Sequence, residues 1–439
     1  MLGTVGGLAV LPLLGQEEKA DFTLRIGPAS VELAPKKVIR TTGYNGMSPG
    51  PLLRVREGQT FTVDVYNDTD TAEVVHWHGL HISSETDGSM EEGTPMVAPR
   101  SHRRYAVTAT PGGLRWYHTH IGAKRNLNRG LYSGQFGFLY IQPSNEPGDY
   151  DQEIFLAFRE WDPYFSMMED DSLDVAYKAF SVNDHSLGSG EPIRVKPGQR
   201  LMLRMLNASA SMHRRIGFSG HSFEVRALDG NPVARPAKVQ AVELGPAERA
   251  EAIVEMNQPG VWVLGAVEDG ARAKGMGVVV EYAGQTGAPR WAAPRADPWD
   301  YTVFSTVSDS GLSASDPEER RLLTFEKKFA GHRWFDNWTI NGKSFPKTDS
   351  IRIQKGRRYR LVLDNRSDEA HPLHLHRHTF ELAKIGPAAT AGVWKDVVVA
   401  PAMTKVEVNL TASNPGPTLF HCHNQTHMDY GFMTMFEYM

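Results

Sequence analysis

Apolar positions along this chain alternate with polar ones far more often than they recur every three or four residues. Three stretches carry the pattern most clearly: FTVDVY before Asn67, LMLRML before Asn207 and YRLVLD before Asn365. Each is preceded by a related lead-in, Leu53 to Gly58 (LRVREG), Ile193 to Gly198 (IRVKPG) and Ile351 to Gly356 (IRIQKG), and each glycine stands nine residues before its asparagine. Period-two alternation with β-branched and aromatic residues predicts a strand, and the flanking glycine and asparagine predict turns. A second shared pattern closes each repeat: Gly113 to His118 (GLRWYH), Gly260 to Gly265 (GVWVLG) and Gly416 to His421 (GPTLFH) align without gaps. A final strand follows each, GQFGFLYI, GMGVVVEY and GFMTMFEY. A repeat of this length predicts three related units. The fold class expected is all-β, three consecutive Greek-key sandwiches. Boundaries are expected in the Pro/Gly-rich stretches 142–149 and 284–300, which divides the chain into 1–145, 146–285 and 286–439.

The differences between repeats carry the chemistry. Nine and eleven residues after Asn67 stand His76 and His78; the same offsets from Asn365 give His374 and His376, but from Asn207 they give Ile216 and Phe218. In the closing pattern the outer repeats carry His118-Thr-His120 and His421-Cys-His423, whereas the middle one has Gly265-Ala-Val267. Residues i and i+2 of a strand share a face. Each His-x-His therefore aims two imidazoles at one place, and eight histidines from the two outer units can hold several metal ions. Copper, zinc, iron and nickel all suit imidazole.

Composition narrows the metal. The 439 residues include 17 histidines but one cysteine, which excludes intramolecular disulfides, zinc ribbons and four-thiolate clusters. A formal net charge of −4 gives no sign of a nucleic-acid partner. Cys422 lies between His421 and His423 and so faces the opposite side of its strand. Its candidate partners on that side are His427, across a short turn, and His371, just before the third histidine pair. Two imidazoles and one thiolate with a weak or absent axial ligand make an electron-transfer copper site of the blue-copper kind.

Taken together, His76-Trp-His78-Gly79, Trp116-Tyr-His118-Thr-His120, His371-Pro-Leu-His374-Leu-His376 and His421-Cys422-His423-x3-His427 resemble the four motifs of three-domain multicopper oxidases, laccases among them. The resemblance covers nearly the whole chain, including the bare middle unit, and implies cupredoxin-like domains. It implies four copper ions: type 1 on His371, Cys422 and His427; type 2 on His76 and His374; and a type 3 pair on His78, His118, His120, His376, His421 and His423. It also implies that reductants give single electrons at the type 1 site, with His427 facing the substrate, and that dioxygen is reduced to water at the other three coppers. The chain departs from the family at three places. Phe432 takes the axial position where methionine is common, which should raise the type 1 potential. Arg377 follows His376 where glycine is common, and is expected to form a surface or interdomain ion pair, with a role near the water or proton channel as the alternative. Thr426 precedes His427 where some relatives carry an acid. Asp87, in an Asp-Gly sequence, is then the candidate proton relay. The remaining histidines are expected to be surface or core residues, with His81 and His378 candidates to support ligands.

The substrate is less legible. Phenols and aromatic amines are the reductants expected, with Cu(I), Fe(II) or Mn(II) the alternative. Glu169, Asp170, Asp171 and Asp174 are candidate pocket acids, and Met167 and Met168 stand beside them. A monomer without stable membrane insertion is expected. The apolar stretch Leu2–Leu14 looks like a signal remnant, which points to a periplasmic or secreted protein.

Overall fold

The computed structural model describes residues 19–295, 297–306 and 317–439. The apolar segment 2–14, on which the export expectation rests, lies outside them. No helix among the described residues is long and apolar enough to cross a membrane.

Six sheets form three sandwiches of cupredoxin type. The first pairs two four-stranded sheets, and the second and third each pair a six-stranded with a five-stranded sheet. The three repeat strands, Thr60–Asn67, Arg200–Asn207 and Arg358–Asn365, hold the same place in each. Each runs parallel to its domain's first strand and antiparallel to a later one. Alternation buries one face: Phe61, Val63 and Val65 are core residues, as are Leu361 and Leu363.

The repeated asparagines have a common task. The Asn67 amide donates to the carbonyls of Thr71, Val97 and Ala98; Asn207 donates to those of Met212 and Leu244; Asn365 donates to those of Glu369, Ala400 and Pro401. Each buried amide thus pins the loop that delivers the next strand, and in the outer domains that strand carries the histidines. A buried carbonyl left without its donor costs about 1–3 kcal/mol, which explains why the turn residue is also a core residue.

In the next ladder, His76 pairs with His118 and His374 with His421, as the matching offsets predict. In the middle domain Ile216 pairs with Ala266 instead of Gly265, a one-residue slip from the gapless alignment. Ile216, Phe218 and Ala266 belong to a continuous apolar cluster there, so apolar packing occupies the place that imidazoles hold in the outer domains.

Candidate metal centres

The strands Val75–His78 and Gly113–Thr119 are buried along their whole length. Trp77 and Tyr117 point into the first domain's core, and the histidines point at the third domain. His421 and His423 face back from the strand Thr418–Cys422 and the turn after it, while Cys422 joins the core on the opposite side. Alternation on a single strand therefore serves two centres.

The larger centre gathers eight histidines. His120, His376 and His421 form one trio, with Nε2 atoms 3.4 and 3.1 Å apart along it. His78 Nδ1 and His118 Nε2 lie 3.4 Å apart, and the His423 ring stands beside both, 5.3 and 5.1 Å away between centroids. His76 and His374 complete the set, with ring centroids 5.8 Å apart. Nε2 of His76, Nε2 of His374 and both nitrogens of His423 are buried without any hydrogen-bond partner. Native proteins rarely leave buried polar atoms orphaned without cause, and a metal ion bound here would supply the missing partner. Burial drives the pKa of His78, His118, His120, His376, His421 and His423 well below the usual value, and His374 down to about 3. Such rings are neutral, the form that ligates a metal.

Ring orientation is set by carbonyls and two aspartates. His118 Nδ1 donates to the Thr119 carbonyl and His421 Nδ1 to the Cys422 carbonyl, at 2.8 and 2.9 Å. His76 Nδ1 donates to the Asp87 carbonyl (2.8 Å) and His374 Nδ1 to the Asp396 carbonyl (2.7 Å). The carboxylates then cross over. Asp87 Oδ2 accepts from His376 Nδ1 of the third domain at 2.8 Å, and Asp396 Oδ1 accepts from His78 Nε2 of the first at 3.2 Å. Partners of this kind fix the tautomer and aim of a metal-ligating histidine.

The smaller centre is His371, Cys422 and His427. Cys422 Sγ lies 3.8 Å from His371 Nδ1 and 3.4 Å from His427 Nδ1, and the two nitrogens are 3.2 Å apart. An ion equidistant from those three atoms would sit about 2 Å from each, the length of a metal–nitrogen or metal–sulfur bond. Ser367 Oγ holds His371 Nε2 at 2.7 Å, and Glu369 Oε2 lies 3.2 Å from His427 Nε2, so both rings turn Nδ1 inward. The short helix Gln425–Asp429, capped by Asn424, brings His427 back to the cysteine. Burial pushes the Cys422 thiol up, so a metal must displace its proton. Phe432 is fully buried against His371, 4.9 Å between rings, with Trp338 closing over both histidines. Met433 is not buried with it.

Several expectations change. Arg377 is no surface residue and makes no ion pair among the described residues: it is buried, and its guanidinium donates to the carbonyls of Ile82, Pro417, Asn414 and Pro415 and to Thr418 Oγ1. Its φ of +61° is left-handed, a conformation that favours glycine; the interdomain hydrogen bonds hold arginine there. Among the candidate acids, Asp174 reaches the notch beside His427, while Asp170 and Asp171 stay exposed in the hairpin turn. His378 binds the His376 carbonyl and Tyr438, so it supports the chain next to a candidate ligand. His81 keeps an unpartnered Nε2 and touches no candidate ligand by hydrogen bond.

Sequence reasoning missed Asp396, Glu92, Glu369 and Arg249. Glu92 is buried beside Asp87; its Oε1 lies 3.7 Å from His376 Nδ1 and accepts from the Leu419 N–H at 2.6 Å. Burial and the neighbouring Asp87 push its pKa well above the usual value. Glu369 alone had a local signal, two residues before His371. The others carry none, because the contacts that give them a role cross domains: Asp396 to His78, Glu92 to His376 and the Leu419 N–H, and Arg249 to Asp396.

Comparison with known proteins agrees with this geometry. Residues 26–146, 166–281 and 316–439 each match a family described as multicopper oxidase. The multicopper oxidase MmcO of Mycobacterium tuberculosis is 29% identical, over 95% of this chain and 86% of its own length. Among solved structures, the laccase of Botrytis aclada aligns with a TM-score of 0.78 at 20% identity, covering 94% of this chain and 87% of that one. A Campylobacter jejuni multicopper oxidase described as a metallo-oxidase aligns with a TM-score of 0.75 at 19% identity, covering 98% and 94%. The neutral, orphaned imidazoles and the histidine–thiolate trio suit copper, and the chain belongs to the multicopper oxidase family.

Proposed function

We propose that this oxidase is laccase-like and takes single electrons from phenols and aromatic amines at the His427 edge. His371, Cys422 and His427 would hold a type 1 copper. His76 and His374 would hold a type 2 copper, and the other six histidines a type 3 pair. When bound, the four ions supply one-electron oxidation at the first site and dioxygen reduction to water at the other three. Both halves of the larger site lie on one chain, which supports a monomer.

The observation that carries the substrate reading is the Glu369 carboxylate, 3.2 Å from His427 Nε2 at the rim of a small notch. A phenol that loses an electron through the imidazole must also lose its proton, and Glu369 is placed to accept it. The notch itself has about 30 Å³, room for roughly two waters, so an aromatic ring rests on its rim. Apolar surface adjoins it: Met168 and Phe335 line the notch, Phe165 packs on Phe335 at 5.6 Å between rings, and Phe165 and Trp334 are exposed beneath the Arg125 guanidinium. At the larger centre, Asp87 Oδ1 and Glu92 Oε2 are buried without partners and can each hold a proton for oxygen reduction. Cys422 joins the two centres through its peptide bonds to His421 and His423.

A second reading, oxidation of Cu(I) or Fe(II), is favoured by Asp174 and Asp336 in the same notch, since carboxylates and a methionine thioether bind such ions. Oxygen uptake decides between them. With copper-loaded protein, a dimethoxyphenol is expected to turn over faster than Cu(I) or Fe(II); the reverse, with negligible phenol oxidation, overturns the laccase reading. Glu369→Gln should lower kcat/KM for phenols about 10²-fold, yet leave ferrocyanide, a donor with no proton to lose, nearly unaffected.

A further inference from the structure

The middle domain holds none of the candidate ligands, yet one of its side chains reaches the edge of the eight-histidine cluster. Arg249 opens the strand Arg249–Glu255 and is fully buried. Its two terminal nitrogens grip the two oxygens of Asp396, Nη1 to Oδ1 and Nη2 to Oδ2, both at 2.6 Å. The guanidinium is itself held from three sides. It donates to the carbonyls of Ala247 (3.1 Å), Asp229 (3.0 Å) and, in the first domain, Leu114 (3.3 Å). Asp229 carries the linkage back to the third domain, because its Oδ2 lies 2.9 Å from Lys395 Nζ and accepts from the Val397 N–H at 3.2 Å. Arg115 of the first domain reaches Asp396 Oδ2 at 3.2 Å. One carboxylate thus meets cations of two other domains.

From this arrangement we infer that Arg249 is a positioning residue for the larger metal centre, acting through Asp396. A two-pronged grip on both oxygens fixes the rotation of a carboxylate, which a single point charge does not do. With the carboxylate fixed, Oδ1 faces His78 Nε2, so the His78 ring turns Nδ1 toward His118 and into the cluster. The same grip seats the Asp396 peptide whose carbonyl orients His374. The domain without ligands therefore sets the aim of one ligand in each of the other two.

This inference rests on the copper-site reading, and the two fail differently. Wild-type protein loaded with copper should contain about four ions per chain and be blue; absence of either sinks the copper-site reading itself. If it holds, Arg249→Met is expected to keep the blue Cys422–copper absorption, while copper content falls toward one per chain. The near-ultraviolet and paramagnetic signals of the trinuclear ions should be lost with it. Arg249→Lys keeps the charge and loses the second prong. It should fold where Arg249→Met does not, and lose trinuclear copper to a chelator at least tenfold faster than wild type, with the blue band unchanged. Full copper content, wild-type trinuclear spectra and wild-type chelator resistance in Arg249→Lys and in any folded Arg249→Met would overturn the inference. So would equal loss of the blue band, since that marks a general loosening of the fold.

Discussion

Asp87 and Asp396 flank the histidine cluster in mirrored positions, and their surroundings are opposite. Each gives its backbone carbonyl to a histidine of its own domain and its carboxylate to a histidine of the other. Asp396 is encased in cations. Burial alone would raise its pKa, but the Arg249 and Arg115 guanidiniums outweigh that and hold it down to about 2. Among the described residues no arginine or lysine forms an ion pair with Asp87; its close neighbours are His76, His376 and the carboxyl of Glu92. One side of the cluster is a permanently charged brace. The other is a pair of acids with free oxygens, suited to passing protons. Two residues that each bridge a histidine of either domain are given different work by what lies behind them.

The comparison can be broken most strongly at the brace. Asp396→Asn takes from the buried Arg249 and Arg115 the carboxylate they share and leaves Arg249 only that of Asp229 at 3.6 Å, which should destabilise the protein by about 3–5 kcal/mol; denaturant unfolding measures it. Asp87→Asn removes no buried ion pair. It should fold normally and accept electrons at Cys422 at the wild-type rate, yet reduce dioxygen about 10²-fold more slowly. Stopped-flow reduction and reoxidation separate the two steps, and equal slowing of both would remove Asp87 from the proton path. Gly79→Ala probes the brace sterically. Gly79 has φ +85°, and an added Cβ would stand 2.6 Å from Asp396 Oδ2 and 3.0 Å from Arg115 Cδ. A cost of about 1–3 kcal/mol is expected, seen as a lowered Tm with reduced trinuclear copper. Phe432→Met leaves both aspartates untouched and should only lower the type 1 potential, because a sulfur ligand replaces apolar bulk; redox titration of the blue band reports it.

Much of the fold was legible because it is written locally. Alternation around Asn67, Asn207 and Asn365 named the central strand of each sandwich, and His-x-His spacing decided which side chains share a face. The placement of Cys422 opposite its flanking histidines follows from the same period of two. The gapless alignment failed at Gly265, where the middle domain's ladder slips by one residue, because register depends on partner strands that the local pattern does not describe. Arg377 was read as an ion-pairing residue because charge is visible in a sequence, whereas the four carbonyls that bind it come from two distant loops.

By itself, then, the sequence determined the strands, the three-unit repeat and which residue types stand at ligand offsets. Each of these depends on spacings of two to eleven residues. Only the tertiary structure decided that Asp396 faces His78 across 318 positions, that Glu92 reaches His376 and the Leu419 N–H of the third domain, and that Arg249 of the ligand-free domain holds the brace. Those contacts form where three sandwiches meet. Burial there makes each charge costly unless it is paired, so the pairing is dictated by the interface and leaves no periodic trace along the chain.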